Sequence, residues 1–144
     1  MAEGPKLQMP ARRKARKRAL DVLYEADLRG LDPDQVLVAY VQRLEQPTPL
    51  HLAYAESLVH GVVAHRERID ELIGSYAEGW TLHRMPPVDR NLARIAVYEL
   101  LWVDDIDHPV AITEAVELAR QLSTDDSPRF LNGVLGRIAE FATP

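Results

Sequence analysis

From Ala11 onward, apolar residues recur at intervals of three and four, the spacing that gathers them on one face of an α-helix. Ala15, Ala19, Val22, Leu23 and Ala26 make the first such stripe, and Gly30 supplies a C-terminal stop. Two i,i+4 ion pairs, Lys17–Asp21 and Glu25–Arg29, support this helix by a few tenths of a kcal/mol each (~0.3). Asp32-Pro33 then reads as an N-cap followed by proline at the first helical position. Val36, Leu37, Tyr40, Val41 and Leu44 form the second stripe, which Pro47 and Pro49 break. Leu52, Ala55, Leu58, Val59 and Val62 define a longer helical region that continues or restarts through Ile69, Leu72, Ile73 and Tyr76. Gly61 sits inside it, where glycine costs stability and permits close approach of a neighbouring helix.

Gly79-Trp80 and Met85-Pro86-Pro87 read as a connector. Beyond it, Leu92, Ile95, Ala96 and Val103 mark a helix from about Val88, and residues 104–109 a polar turn. Ala111, Ala115, Leu118, Ala119 and Leu122 follow as another helix. Ser127-Pro128 repeats the cap-then-proline signal before a final helix through Phe130, Leu131, Val134, Leu135 and Ile138. No alternation of strand type persists beyond four or five residues. The expectation is an all-α protein of about seven helices in two antiparallel subdomains: a flexible basic arm at 1–10, an N-terminal subdomain at 11–79 and a C-terminal one at 80–144, together one compact domain.

Composition changes this picture in two ways. The 144 residues contain no cysteine, which excludes a disulfide scaffold or a thiolate metal site and fits a reducing cytoplasm. No window approaches the roughly 18 apolar residues of a membrane span, and the first twenty residues lack the apolar stretch of a signal peptide, so a soluble cytoplasmic protein is expected. Charge is segregated. Residues 1–20 hold seven basic residues against one acidic, a net of +6, and the overall −5 then leaves −11 on the other 124 residues. A basic head on an acidic body points to a polyanion partner held at the head.

The chemistry concentrates in two places. Arg12, Arg13, Lys14, Arg16, Lys17 and Arg18 place six cations within seven positions, and Arg12, Arg13, Arg16 and Lys17 are expected to project away from the apolar stripe. Such a run repels itself, and phosphate contacts would offset that cost. Engaging five or six phosphates of a single strand would give a log–log salt slope of about −3.5 to −4.2. The plainer alternative is a solvated helix start. The second place is Ser123–Leu135, a polar loop entering a helix that offers Arg129 and Phe130. Helix N-termini bind anions, and RNA-binding modules stack unpaired bases on aromatics. Here the alternative is that Asp125, Asp126 and Ser127 cap the helix while Phe130 fills the core. The five histidines show no metal-ligand spacing, and no phosphate-binding loop or nucleophile elbow is present, so no cofactor or metal is expected.

Three stretches carry a further signal. Ala11–Leu28 (ARRKARKRALDVLYEADL) resembles the opening helix of the NusB family, Val88–Leu101 (VDRNLARIAVYELL) its central helix, and Val110–Gly136 (VAITEAVELARQLSTDDSPRFLNGVLG) its C-terminal signature. The resemblance runs in order and register over most of the chain from Ala11. It implies a non-enzymatic transcription antitermination factor that binds the boxA element of nascent ribosomal RNA as a single strand, jointly with the ribosomal protein NusE, within an RNA polymerase antitermination complex. Arg12, Arg13 and Arg16 match the family's arginine-rich RNA-binding segment; Lys14 and Lys17 in the same run, and Arg129 in the Ser123–Leu135 stretch, are further candidate RNA-binding residues. Asp126 matches an acidic position at the RNA surface, where replacement by asparagine is expected to raise affinity, and Phe130 matches an aromatic beside it. Leu122 stands where some relatives have an aromatic. Tyr24 and Asp89 match positions facing NusE, and many relatives have glutamate where Asp89 stands, which implies a shorter reach here. Some relatives are dimeric, so a homodimer occluding the basic helix stays open. Two alternatives remain: an RNA-binding accessory module of a ribosomal RNA cytosine methyltransferase, and a protein-only helical adaptor.

Overall fold

The computed structural model describes residues 9–44 and 49–144, and its elements follow the apolar periodicity closely. Seven α-helices and one 3-10 turn are present among the described residues: α1 (Met9–Arg29), α2 (Pro33–Gln42), α3 (Pro49–Ala64), α4 (Arg66–Tyr76), the turn at Leu82–Arg84, α5 (Pro87–Trp102), α6 (His108–Leu122) and α7 (Ser127–Phe141). Residues 1–8 of the expected arm, and the expected break at Pro47, lie outside the described residues. Met9 and Pro10 already belong to α1, and Pro49 opens α3 rather than breaking a helix. Proline fits there because the first helical N–H groups have no intrahelical acceptor to lose. The same reason shortens the expected turn at 104–109, since α6 begins at His108 and carries Pro109 in its first turn.

Local signals hold at both ends of the first loop. Gly30 adopts φ +65° and the Leu31 N–H donates to the Ala26 carbonyl at 2.9 Å, which closes α1. Asp32 caps α2 by accepting from the Asp34 N–H at 3.0 Å. The long third region resolves into two helices that meet at His65.

Helix α5 is the central element and packs against α1, α3, α4, α6 and α7. Its buried side chains Leu92, Ile95, Ala96 and Leu100 join Leu23 of α1, Leu58 and Val62 of α3, Ile69 and Ile73 of α4, Leu118 of α6 and Leu131, Leu135 and Ile138 of α7 in one contiguous core. Burying one such Leu or Ile is worth about 1.5–3 kcal/mol relative to leaving it exposed. No helix among the described residues is long and apolar enough to cross a membrane.

A polar seam crosses this core. Asp27 of α1 accepts from Arg90 Nε at 2.5 Å and from Asn91 Nδ2 at 2.8 Å, and Arg94 Nε donates to Asp70 of α4 at 2.9 Å. Burial alone would raise the Asp27 carboxyl, but hydrogen bonds from Arg90 and Asn91 and the charges of Arg90 and Arg94 outweigh it and hold the group below its ordinary value. The seam ties α1, α4 and α5 together and fixes the height of α1 against the centre of the molecule.

Candidate nucleic-acid interface

The six-cation run occupies the first turns of α1, and its neighbours differ from what spacing alone suggests. Arg16 does not project from the helix side. It is only 2% exposed, because its position on the 3.6-residue wheel falls beside Ala15 and Ala19 and faces α5. There its Nε donates to both carboxylate oxygens of Glu99, at 2.9 and 3.1 Å. The Tyr54 hydroxyl of α3 donates to the same carboxylate at 2.5 Å. Burial opposes the charge on Arg16, but the hydrogen bond and charge of Glu99 outweigh it, so the guanidinium stays protonated. Burial and the Glu99 carboxylate together push the Tyr54 hydroxyl far above its ordinary range, which keeps it a donor. Arg16 Nη1 and Nη2 are buried without a hydrogen-bond partner among the described residues.

The flanking arginines are held less deeply. Arg12 Nη2 meets Asp105 at 2.7 Å, and its guanidinium lies 5.1 Å from the centre of the Tyr54 ring, a cation–π distance. Arg13 makes a bidentate pair with Glu114 of α6, at 2.9 and 3.0 Å, and the hydrogen bond and charge of Glu114 raise its pKa. Lys17 pairs with Asp21 at 2.6 Å, and Arg18 donates to the Tyr40 hydroxyl at 3.1 Å. Lys14 is exposed and makes no ion pair among the described residues. The self-repulsion of the run is therefore relieved inside the chain, by carboxylates of the acidic body. Sequence spacing cannot find these partners because Asp105, Glu114 and Glu99 lie 83 to 101 residues away.

Helix α6 leads from this end of the molecule to the second candidate stretch. Glu114, Glu117 and Gln121 follow one another at three- and four-residue spacing on one face, over roughly 10 Å of helix. Beyond α6, the loop at 123–126 is pinned from beneath by Asp89. This carboxylate is 2% exposed; it accepts from Ser123 Oγ at 2.5 Å and from Ser127 Oγ at 2.8 Å. Ser127 also accepts the Thr124 N–H at 3.2 Å. Asp89 thus lies beneath the surface expected to meet a partner, in the first turn of α5, where a negative charge suits the helix dipole. Tyr24 is 37% exposed.

Ser127 is the first residue of α7 rather than its cap, and Asp126 at the cap position makes no side-chain capping hydrogen bond. The physical reason is that the Ser127 hydroxyl is committed to Asp89. Asp126 is left exposed at the loop surface with Arg129 beside it, and Leu122 is exposed at the end of α6. Phe130 is half-buried and meets Trp80 edge-to-face, with ring centroids 6.3 Å apart. The structure thus separates the anticipated residues into three settings: Arg12, Arg13, Lys14 and Lys17 at the α1 end; Asp126, Arg129 and Phe130 at the α6–α7 loop; Arg16 and Asp89 inside, each holding one of those surfaces in place. Among the described residues, no group of three or more His, Asp or Glu could hold a metal ion.

Comparison with known proteins agrees across the chain. The sequence profile of the NusB family matches residues 13–140. The chain is 76% identical over 135 residues to the transcription antitermination protein NusB of Salinispora tropica, covering 94% of this chain and 99% of that protein. It is 55% identical over 130 residues to the protein of the same name from Acidothermus cellulolyticus, covering 90% and 88%. Among solved structures, T. maritima NusB superposes with a TM-score of 0.84 at 36% identity, over 92% of this chain and 93% of that one. A chain from the crystal structure of antitermination factors NusB and NusE in complex with dsRNA gives 0.82 at 30% identity, over 92% and 98%. With the family profile spanning nearly the whole helical bundle, this chain belongs to the NusB family.

Proposed function

We propose that this chain is a transcription antitermination factor that binds a boxA-type single-stranded RNA of ribosomal RNA operons together with NusE, as part of an RNA polymerase antitermination complex. The single observation that carries the reading is the family membership, supported by near-full-length relatives that bear the antitermination name and by a superposable chain from a complex with NusE and RNA. Relatives matched over nearly the whole of both chains favour this role over that of an accessory module in a methyltransferase. The role is one of binding and positioning, with no bond made or broken.

Arg12, Arg13, Lys14 and Lys17 would take phosphates, which fixes the strand on the protein without reading it. The loop bearing Asp126, Arg129 and Phe130 would meet unpaired bases. Arg16 would support the interface from below by holding α1 on α5, and Asp89 would hold the loop that carries Asp126. Tyr24 offers the exposed part of a NusE-facing surface, with Asp89 acting through the loop.

The test is fluorescence anisotropy of a boxA-like RNA and a scrambled control, with and without NusE, across a salt series. The expected result is preference for the boxA-like RNA that NusE sharpens and that an Arg12/Arg13/Lys14 alanine variant loses, with a shallower salt slope. Equal, weak and NusE-independent binding of both RNAs would overturn the assignment.

A further inference from the structure

We propose that the open cavity beside the start of α7 is a nucleobase pocket, with Trp80 as a stacking wall that works alongside Phe130. The proposal rests on the RNA-binding reading above and adds to it a subsite and a residue. The cavity measures about 560 Å³, within the roughly 300–1,000 Å³ typical of clefts that enclose small ligands. Met85, 2% exposed, contributes to its apolar lining; Trp80 and Phe130 supply two aromatic walls, and Thr124, Asp126 and Arg129 complete the side toward the loop.

Trp80 is held outward by the backbone. Glu78 and Gly79 adopt φ +42° and +88°, both in the left-handed region, and the Trp80 N–H donates to the Ala77 carbonyl at 3.3 Å. This tight turn leaves the indole 53% exposed over the cavity, its ring at 71° to that of Phe130. A lone exposed aromatic is ordinary on a protein surface. An exposed indole that walls a cavity, set edge-to-face on a second ring and flanked by an exposed arginine, is the equipment that unpaired bases use.

The neighbouring surface favours a nucleotide over an apolar peptide. Arg129 and Thr124 also line a second cavity of about 620 Å³, whose other walls include Arg120, Asp125 and Asn132 and no aromatic residue. A base in the aromatic cavity would leave its sugar and phosphate beside Arg129 and Arg120, so one residue, Arg129, serves both halves of a nucleotide. An amphipathic helix would instead need an apolar stripe running through both cavities.

Base stacking on an indole tolerates any base, since every base has a π-face. The indole itself engages no phosphate, so its loss is expected to weaken stacking while Arg129 and Arg120 keep their hold on the backbone. With NusE present, Trp80→Ala is expected to weaken binding of boxA-like RNA roughly 5- to 100-fold at an unchanged salt slope, and Trp80→Phe to retain most of the affinity. In a Trp102→Phe background, where Trp80 is the sole tryptophan, RNA should quench its fluorescence. An RNA series with one abasic position at a time should contain one member to which the wild type and Trp80→Ala bind equally. A thermal melt checks that Trp80→Ala folds as the parent does. Wild-type affinity in Trp80→Ala with no quenching would overturn the pocket and leave the RNA reading standing. A weakened affinity with a shallower salt slope would also overturn it, because the indole would then act through phosphate contacts. Failure of the wild type to bind RNA at all would take down the RNA reading and the pocket with it.

Discussion

Single side chains in the basic run have separate duties, although they share a charge. Arg16 and Glu99 are both nearly solvent-free, 2% and 1% exposed, so removing one leaves the other as a buried, unpaired charge. Arg16→Ala is expected to destabilise the fold by about 3–5 kcal/mol in urea denaturation. The double replacement Arg16→Met with Glu99→Leu should recover most of that loss, since a well-packed apolar pair removes both desolvation costs. A cost below about 1 kcal/mol for Arg16→Ala would show that the pair is not desolvated. Arg12 is less deeply held, at 15% exposure, and its half-exposed partner Asp105 competes with any phosphate for the guanidinium. Asp105→Asn should therefore raise RNA affinity at low salt by roughly two- to five-fold, the scale of an exposed ion pair. Unchanged affinity would mean that Arg12 does not reach the RNA. The sequence displays these arginines as equals, and only their remote carboxylates distinguish them.

Helix α3 meets α5 at a spacing that one glycine permits. A Cβ on Gly61 would lie 2.1 Å from Tyr98 Cζ, well inside contact distance, so the tyrosine ring rests directly on the α3 backbone. Tyr98 then continues into a stack with Trp102 and His65, the last two rings 4.2 Å apart. Gly61→Ala is expected to cost at least about 1–3 kcal/mol by overpacking, despite the better helix propensity of alanine. Adding Tyr98→Ala should cost less in the Gly61→Ala background than in the parent, and additive losses in a double-mutant cycle would argue against the contact. The glycine was legible in the sequence as a close-approach site, but its partner was not. Caps were likewise half legible: Asp32 caps α2 as its spacing suggests, whereas Ser127 leaves the cap position because a buried aspartate 38 residues away engages its hydroxyl.

For the molecule as a whole, the seam around Asp27 links global stability to pH. Its folded pKa lies below the unfolded value of about 4, so the stabilisation is fully present above that value and is lost as pH falls through the folded pKa. Acid unfolding should steepen below about pH 4, and Asp27→Asn should lower stability at neutral pH while flattening that acid limb. An unchanged acid limb in Asp27→Asn would place the sensitivity at another carboxylate. The same scale explains the charge pattern. An acidic body of net −11 neutralises much of its own basic head, so the surface offered to RNA is narrower than the cation run suggests.

By itself, the sequence determined the all-helical class, the helix order, most of the apolar face of each helix and the family resemblance. Those depend on local propensity and on a 3.6-residue period, both written along the chain. Tertiary structure alone decided which cations face water, which carboxylate sits beneath the loop and which aromatic lines the cavity. Arg16 and Arg13 are three residues apart, yet one is buried against Glu99 while the other stays exposed and reaches in to the buried Glu114. Trp80 and Phe130 are fifty residues apart and meet across a cavity. Burial and pairing are set by what another helix brings to the same point, and no periodicity within one helix encodes that.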